Sequence, residues 1–292
     1  MRNLAEYILR GRKQAVLLAL LFTILPLLGW VADAIVALVT LRKGAKEGAF
    51  VLLWVLLPSV VFAIAGYPQL WIYNILGGSL VTFVLALALR HYGNWSAVLQ
   101  IGMLLGVLAV LLAHLWMPNL EQVWTQDIAL YLKTLKEQSV LLKSFQQSPG
   151  NVQILAKIAT GLQAAFLLLG DFFNVVMARW AQSLLYNPGG LRQELYDIRI
   201  GSVGVSVLIL VVLGSLAGMS TMTDCLPVVI LPIALAGISL VHGFVQTVKH
   251  PGLYLFLFYG LLVTLFPYFI GILVIIALLD SWLDLRQYTA RI

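Results

Sequence analysis

Residues Ile154–Ile200 read ILAKIATGLQAAFLLLGDFFNVVMARWAQSLLYNPGGLRQELYDIRI. Ile154–Leu169 is apolar enough to enter a bilayer, and Asp171, Asn174 and Arg179 follow with no break in the helical pattern. Tyr186-Asn187-Pro188-Gly189-Gly190 ends that helix with a turn. Leu191–Arg199 then carries Arg192, Glu194, Asp197 and Arg199 up to the next hydrophobic run. Most of the remaining chain reads as membrane helix with little polar chemistry. The class this implies is an all-α polytopic integral membrane protein, with residues 1–292 forming a single transmembrane domain.

Composition agrees. The chain is 61% hydrophobic and 10% charged, with a mean hydropathy of +0.98. Soluble domains carry roughly a quarter charged residues. The net charge of +6 does not point to nucleic acid, because Lys and Arg of membrane proteins concentrate in cytoplasmic loops. The single cysteine, Cys225, excludes an internal disulfide and a cysteine-based metal cluster. It is either a small residue near a helix start or a reactive thiol. Residues 1–13 lack a small-residue cleavage site after a short apolar core. They are expected to form a basic, amphipathic helix at the cytoplasmic surface.

A helix rises ~1.5 Å per residue and the hydrocarbon core is ~30 Å thick, so a span needs ~20 apolar residues. Ala49–Gly66, Leu70–Leu89, Ser96–Trp116, Ile154–Ala178, Ser202–Met219, Leu226–Val245 and Leu253–Leu279 qualify, the last with a kink expected at Pro267. Gln14–Leu41 is too long for one span and holds Pro26 and Gly29 near its middle. It is either a short antiparallel hairpin (Gln14–Leu25 and Val31–Leu41) or one long kinked helix. With the N-terminus inside, the hairpin places twelve of the 18 Lys and Arg residues in the cytoplasm and six outside. The single helix gives ten against eight of the same 18. Positive-inside bias favours the hairpin and a total of eight or nine membrane helices. Each arm is short for a full span, and short arms survive when packed within protein.

Between residues 118 and 150 the chain leaves the membrane. Leu120, Trp124, Ile128, Tyr131, Leu135, Leu142 and Phe145 recur at helical spacing, an amphipathic segment on the extracytoplasmic face. It would rest on the lipid surface, cap a cavity or pack on a partner. Asn119 is expected to N-cap it. Residues 186–199 form a charged cytoplasmic loop. Ala15/Ala19, Gly102/Gly106 and Gly214/Gly218 are small residues at four-residue spacing, which let helix backbones approach closely.

The segment Pro26–Leu57, PLLGWVADAIVALVTLRKGAKEGAFVLLWVLL, resembles the early region of substrate-capture (S) components of energy-coupling-factor vitamin transporters. Asp33 and the Gly44/Gly48 turn stand where that family has an acidic residue before its second short helix and a glycine turn after it. Ala15-xxx-Ala19 is similar to the face those proteins present to a coupling subunit. Over most of its length the chain resembles the YybS-like family of bacterial membrane proteins. That likeness rests on the LRKGAKEG turn, ARWAQSLLYNPGG, LRQELYDIRIG and DSWLDLRQY. The resemblance implies the bacterial inner membrane, a coupling membrane subunit with ABC-type ATPases as partners, and the hairpin topology. S components usually have six membrane helices, fewer than this chain offers.

At 100° per residue, Asp171, Asn174 and Arg179 share one broad helical face. A charge inside the membrane usually faces a cavity or a partner, so Asp171 and Asn174 are candidate ligand-binding residues. The alternative is that Asp171 fixes packing while Arg179 snorkels to the headgroups. Asp33 either caps the second short arm or lines an outward cavity. Asn74, His114 and His242 are isolated polar residues, better read as interhelical hydrogen-bond formers than as ligands. Trp71, Tyr73, Trp116 and Trp124 fit an aromatic belt. There is no GxxxxGK[ST] or HExxH motif, and the four histidines lack metal-ligand spacing. No catalytic residue, metal or cofactor is expected.

Two functions follow. One is a membrane-embedded small-molecule binding or transport component, with Asp33, Asp171 and Asn174 at the site and Ala15 and Ala19 toward a partner. The other is a scaffold or regulator that docks a partner through Arg179, Arg192 and Arg199. Either function is compatible with a homo-oligomer.

Overall fold

The computed structural model describes residues 2–25, 27–66, 78–135 and 149–287. Among these residues the chain forms fourteen helices and no strand. The first half holds α1 (Arg2–Arg10), α2 (Arg12–Ile24), α3 (Gly29–Lys43), α4 (Ala45–Ile64), α5 (Ser79–Tyr92) and α6 (Trp95–Trp116). Then come α7 (Leu120–Leu135), α8 (Pro149–Lys157), α9 (Ala159–Tyr186) and α10 (Gly190–Tyr196). The last four are α11 (Ser202–Leu216), α12 (Ser220–Val245), α13 (Pro251–Thr264) and α14 (Tyr268–Leu283).

Helix α9, 28 residues long, is the hub. It touches α1, α3, α5, α6, α7, α8, α10 and α12. The stretch expected as one span from Ile154 to Ala178 divides at Ile158, where α8 gives way to α9. Its far end is where the sequence puts it: Asn187 is the C-cap and Gly189 takes φ +87°. Close approach to its neighbours depends on small residues. A Cβ on Gly102 would fall 2.6 Å from the Phe172 ring, and one on Gly106 would fall 2.4 Å from Val228. Apolar area drives little association between helices in lipid, so this close fit is what holds α6 on α9 and α12. Gly214 and Gly218 do not act as a pair. Gly214 faces Met222, and Gly218 (φ +84°) lies in the turn between α11 and α12.

Residues 14–41 form two helices that double back. The first ends at Ile24 and the second begins at Gly29, and between them Leu27 has φ 64°. Arg12, at the start of α2, donates from Nε to Glu47 Oε2 (2.7 Å) in the first turn of α4. Only Gly44 separates α4 from the end of α3, so the start of α2 and the end of α3 lie at one level. The arms are 13 and 15 residues long. Helix α3 is buried without interruption from Ile35 to Leu41, the pattern of a core helix. Pro26 lies outside the described residues.

The C-terminal run is also a pair. Leu253–Leu279 reads as one kinked span, but the helix ends at Thr264 and a new one starts at Tyr268, with Pro267 as its N-cap. Tyr259 of α13 lies 2.8 Å from His242, whose ring stacks on Tyr196. Arg286, just beyond α14, donates to the carbonyls of Tyr196 and Ile198. Helix α14 therefore ends beside Tyr196, the residue that stacks on His242, the partner of Tyr259 in α13. Proline breaks the hydrogen-bond ladder, and here the chain reverses at the break. The count for a single kinked span places Arg286 on the outer side; the structure places it with the other arginines.

Those arginines define one face. The Arg42 guanidinium sits 3.8 Å over the Tyr186 ring, and Arg90 donates to the Leu41 carbonyl at the end of α3. On the same side Arg12 reaches Glu47 just beyond the end of α3, Arg179 reaches Glu194 of α10, and Arg199 reaches Asp284 just beyond α14. At the opposite face α7 packs on α8 and α9. Leu120 and Leu132 of α7 are buried, whereas Tyr131 is 66% exposed and off the packed stripe. Leu142 and Phe145 of the expected stripe lie outside the described residues, as do Trp71, Tyr73 and Asn74.

Among the described residues four helices are long and apolar enough to cross a bilayer: α4, α6, α9 and α12. Helices α5, α11, α13 and α14 are apolar but have 14–16 residues. Large apolar side chains such as Leu216, Val263 and Phe256 stand at least three-quarters exposed, as in a surface that faces lipid.

Candidate functional site

Helix α5 carries two hydroxyls one turn apart on an apolar background, Ser79 and Thr82. Both are fully buried, and each serves a carboxylate on a different helix. Ser79 Oγ donates to Asp33 Oδ1 of α3 (2.5 Å), and Thr82 Oγ1 donates to Asp171 Oδ1 of α9 (2.8 Å). Asn174 joins the second bond, its Nδ2 lying 3.4 Å from Thr82 Oγ1. Asp33 thus sits in the first turns of α3 facing α5, and is not a cap from outside. Asp171 and Asn174 share one partner, while Arg179 points away from them.

This polar knot is incomplete. Asp171 Oδ2 and Asn174 Oδ1 are buried and accept no hydrogen bond. Residues around them are among the least exposed in the molecule, with Asp171 at 1% and Asn174 at 3%. Thr82 has one hydroxyl proton and gives it to Asp171. It can therefore only accept from Asn174, which fixes that amide and leaves its oxygen as the free end.

Asp171 lines a cavity of about 210 Å³ between α6 and α9. Its walls are mainly apolar, from Val81, Leu105, Val110, Leu167 and Leu168 among others. Thr160 and Gln163 supply the other polar lining. Asp171 lies eleven positions beyond Thr160, about 16 Å along the helix axis. At the Thr160 end, Trp124 Nε1 of α7 donates to Thr160 Oγ1 (2.9 Å). The amphipathic helix is thereby tied to the mouth of the cavity.

A second carboxylate stands at the same end. Asp224 of α12 is buried and accepts from the Gly161 backbone N–H (2.6 Å) and from His114 Nε2 of α6 (2.8 Å). A Cβ on Gly161 would fall 1.7 Å from the Asp224 carbonyl oxygen. The α9–α12 crossing at this point thus has room only for glycine. His114 is an interhelical hydrogen-bond former, as its isolation in an apolar run suggests.

The arginines expected to reach a partner are engaged within the chain. Arg179 pairs with Glu194, Nε lying 3.0 Å from Oε2, and also donates to Gln182 (2.7 Å). Trp95 Nε1 donates to the same Glu194 oxygen (3.2 Å). Burial pushes the Glu194 carboxyl up, but the Arg179 guanidinium and the Trp95 indole outweigh it and hold it below the usual carboxylate range. Arg199 pairs with Asp284 at 2.6 Å. The Gln287 amide and Arg199 hold that carboxyl below its ordinary range. Arg192 is exposed and donates to the Tyr196 hydroxyl (2.6 Å). Ala15 and Ala19 are covered by this chain's own helices, at 1% and 0% exposure. They pack α2 onto α3 and α4, so they cannot form the face that the S-component resemblance assigns them.

A second cavity, about 630 Å³, opens between α9, α10, α12 and α13 on the arginine side. Its lining is largely apolar and aromatic, including Phe172, Phe173 and Trp180, with His242 and Tyr259 near one end.

Sequence reading misses Ser79, Thr82 and Asp224. The first two look like ordinary small residues of an apolar helix, although the i, i+3 spacing of hydroxyls in such a helix is the signal that buried acceptors lie opposite. Asp224 falls outside the span drawn from Leu226, whereas the helix begins at Ser220. Asp280, buried and paired with the half-buried Arg286 at 3.0 Å, is missed for the same reason, lying just past the span drawn to Leu279. Among the described residues no group of three or more His, Cys, Asp or Glu could hold a metal ion. Compared with known proteins, the chain matches no family model, no curated protein and no solved structure.

Proposed function

We propose that the chain is a multi-pass component of the bacterial inner membrane, N-terminus in the cytoplasm, that binds a small polar solute for uptake or transport. Its site is the α6–α9 cavity, with Asp171 in its wall at one end, Asn174 three positions further along α9, and the Thr160 end bounded by α7. One observation carries this reading: two buried acceptors are left unpaired, one on Asp171 in the cavity wall and one on Asn174, three positions further along α9. Nearly all buried polar atoms of native proteins have a partner, and those left over mark a place for a bound ligand, ion or water. The clustering of Arg12, Arg42, Arg90, Arg179, Arg199 and Arg286 at one face supports the orientation, through the positive-inside bias.

The resemblance to S components belongs to this proposal, without Ala15 and Ala19 as its coupling face. The scaffold reading draws less support, because Arg179 and Arg199 are engaged internally and Arg192 alone stays exposed.

The test is a thermal-shift screen of polar solutes against the purified full chain and its Asp171→Asn variant. A solute that stabilises the wild type, with little effect on a folded Asp171→Asn protein, supports the site. Equal stabilisation of both proteins removes Asp171 from it. A mild-detergent pull-down from the native membrane, read by mass spectrometry, tests the partner: recovery of ABC-type ATPases favours the transport form.

A further inference from the structure

We infer that Asp171 holds an exchangeable monovalent cation at one end of the α6–α9 cavity, with Asn174 Oδ1 as a second oxygen ligand. This deepens the binding reading above and rests on it.

The first support is charge. Asp171 is 1% exposed, and no Lys or Arg pairs with it among the described residues. Arg179, the nearest basic residue along α9, is turned to Glu194. A carboxylate left alone within a membrane is strongly disfavoured, so it keeps a counter-charge or a proton. The groups on packed neighbours offer no positive charge at that depth. Asp33 on α3 is itself acidic and occupied by Ser79, and His114 on α6 is committed to Asp224 on α12 at the other end of the cavity.

The second support is the kind of atom left over. Both orphans are oxygen acceptors, Asp171 Oδ2 and Asn174 Oδ1. They belong to residues three apart on one helix, which share a face. An all-oxygen pair with one carboxylate suits a hard cation or an ammonium, and does not suit a soft metal or an anion. Asp171 brings one negative charge to this pair of oxygens, which one monovalent cation balances. The other polar groups of the wall, Thr160 and Gln163, lie eight or more positions from Asp171, about 12 Å or more along α9, and about 210 Å³ accommodates a compact ion with part of its water shell.

The test uses purified full-length protein in detergent. Thermal unfolding is followed in lithium, sodium, potassium, ammonium and methylammonium chloride, with ionic strength held constant by N-methyl-D-glucamine chloride, and separately in magnesium and calcium chloride. The expected result is a saturable rise in Tm with one or more monovalent cations, weakened as protons compete at lower pH. In Asp171→Asn the rise disappears. In Asn174→Leu the half-saturating concentration increases about tenfold or more, the scale of one lost ligand. The Asn174→Leu variant decides the matter if Asp171→Asn does not fold.

A monovalent response preserved in Asp171→Asn overturns the site, and so does a response to magnesium or calcium alone. No response to any cation, while a neutral solute stabilises the wild type and not Asp171→Asn, overturns the cation and leaves the binding reading standing. Failure of every cation and every solute overturns both.

Discussion

Thr82 Oγ1 lies 2.8 Å from Asp171 Oδ1, and both residues are essentially sealed from solvent. That bond joins the hub helix α9 to α5 and orients the carboxylate whose other oxygen is left free. Interhelical hydrogen bonds in membranes average ~0.6 kcal/mol and reach ~1.7, and stranding a buried acceptor adds to the loss. Thr82→Val should therefore destabilise the protein by about 1–2 kcal/mol, whereas Thr82→Ser should stay near wild type. Thermal unfolding of the two variants in one detergent checks this; equal stability of Val and Ser would contradict it.

Gly161 and Gly170 lie on the same helix and should respond in opposite ways. A Cβ at Gly161 meets the Asp224 backbone at 1.7 Å, and neither backbone can give way without separating α9 from α12. Gly161→Ala should cost about 3 kcal/mol or more, the upper end for overpacking. At Gly170 nothing lies within 4 Å, so Gly170→Ala should gain about 0.5–1 kcal/mol of helix stability. Size-exclusion profile and Tm distinguish the two directly.

Glu194 gives a pH signature. Its carboxyl is held below the ordinary 4.5 by Arg179 and Trp95 against the opposing effect of burial. A folded-state value below the unfolded one means that the stabilisation is full above about 4.5 and is lost as pH falls through the folded value. Wild-type Tm should drop on acidification through this window. Glu194→Gln should start lower at neutral pH and lose less over the same range. Parallel curves for the two proteins would exclude the pair as a source of acid sensitivity.

The reversal at 265–267 is open to a labelling test. In a background with Cys225 replaced by Ala, single cysteines at Lys249 and Gln287 should react with an impermeant maleimide from one side of the membrane. A cysteine at Leu265 should react from the other. Labelling of Lys249→Cys and Gln287→Cys from opposite sides would restore the single kinked span.

Much of the architecture is legible from residue order because the physics is local. Apolar runs of known length, the Tyr186–Gly190 stop and the glycine-bounded turn at Gly44 are set by neighbours in the chain. The hub can be read as well, since polar residues interrupt the hydrophobic pattern in α9 without ending its helix. Other features depend on more than one segment. Pro267 breaks a helix either by kinking it or by reversing it, and the choice rests on what His242 offers to Tyr259 of α13 and what the Tyr196 and Ile198 carbonyls offer to Arg286. Ala15 and Ala19 mark a close-packed face in either case, but whether that face meets another subunit or α3 and α4 is settled only by the packed fold.

The candidate site divides in the same way. Sequence alone marks the chain as a helical membrane protein and singles out Asp171 and Asn174, because a carboxylate in an apolar helix is conspicuous at any position. It does not show that Thr82, 89 residues away in sequence, takes up one Asp171 oxygen and leaves the other free. It also does not show that Asp224 closes on Gly161 at the far end of the same cavity. Hydroxyls and glycines carry little signal of their own. Their roles come from the group placed opposite them, and tertiary packing alone decides which group that is.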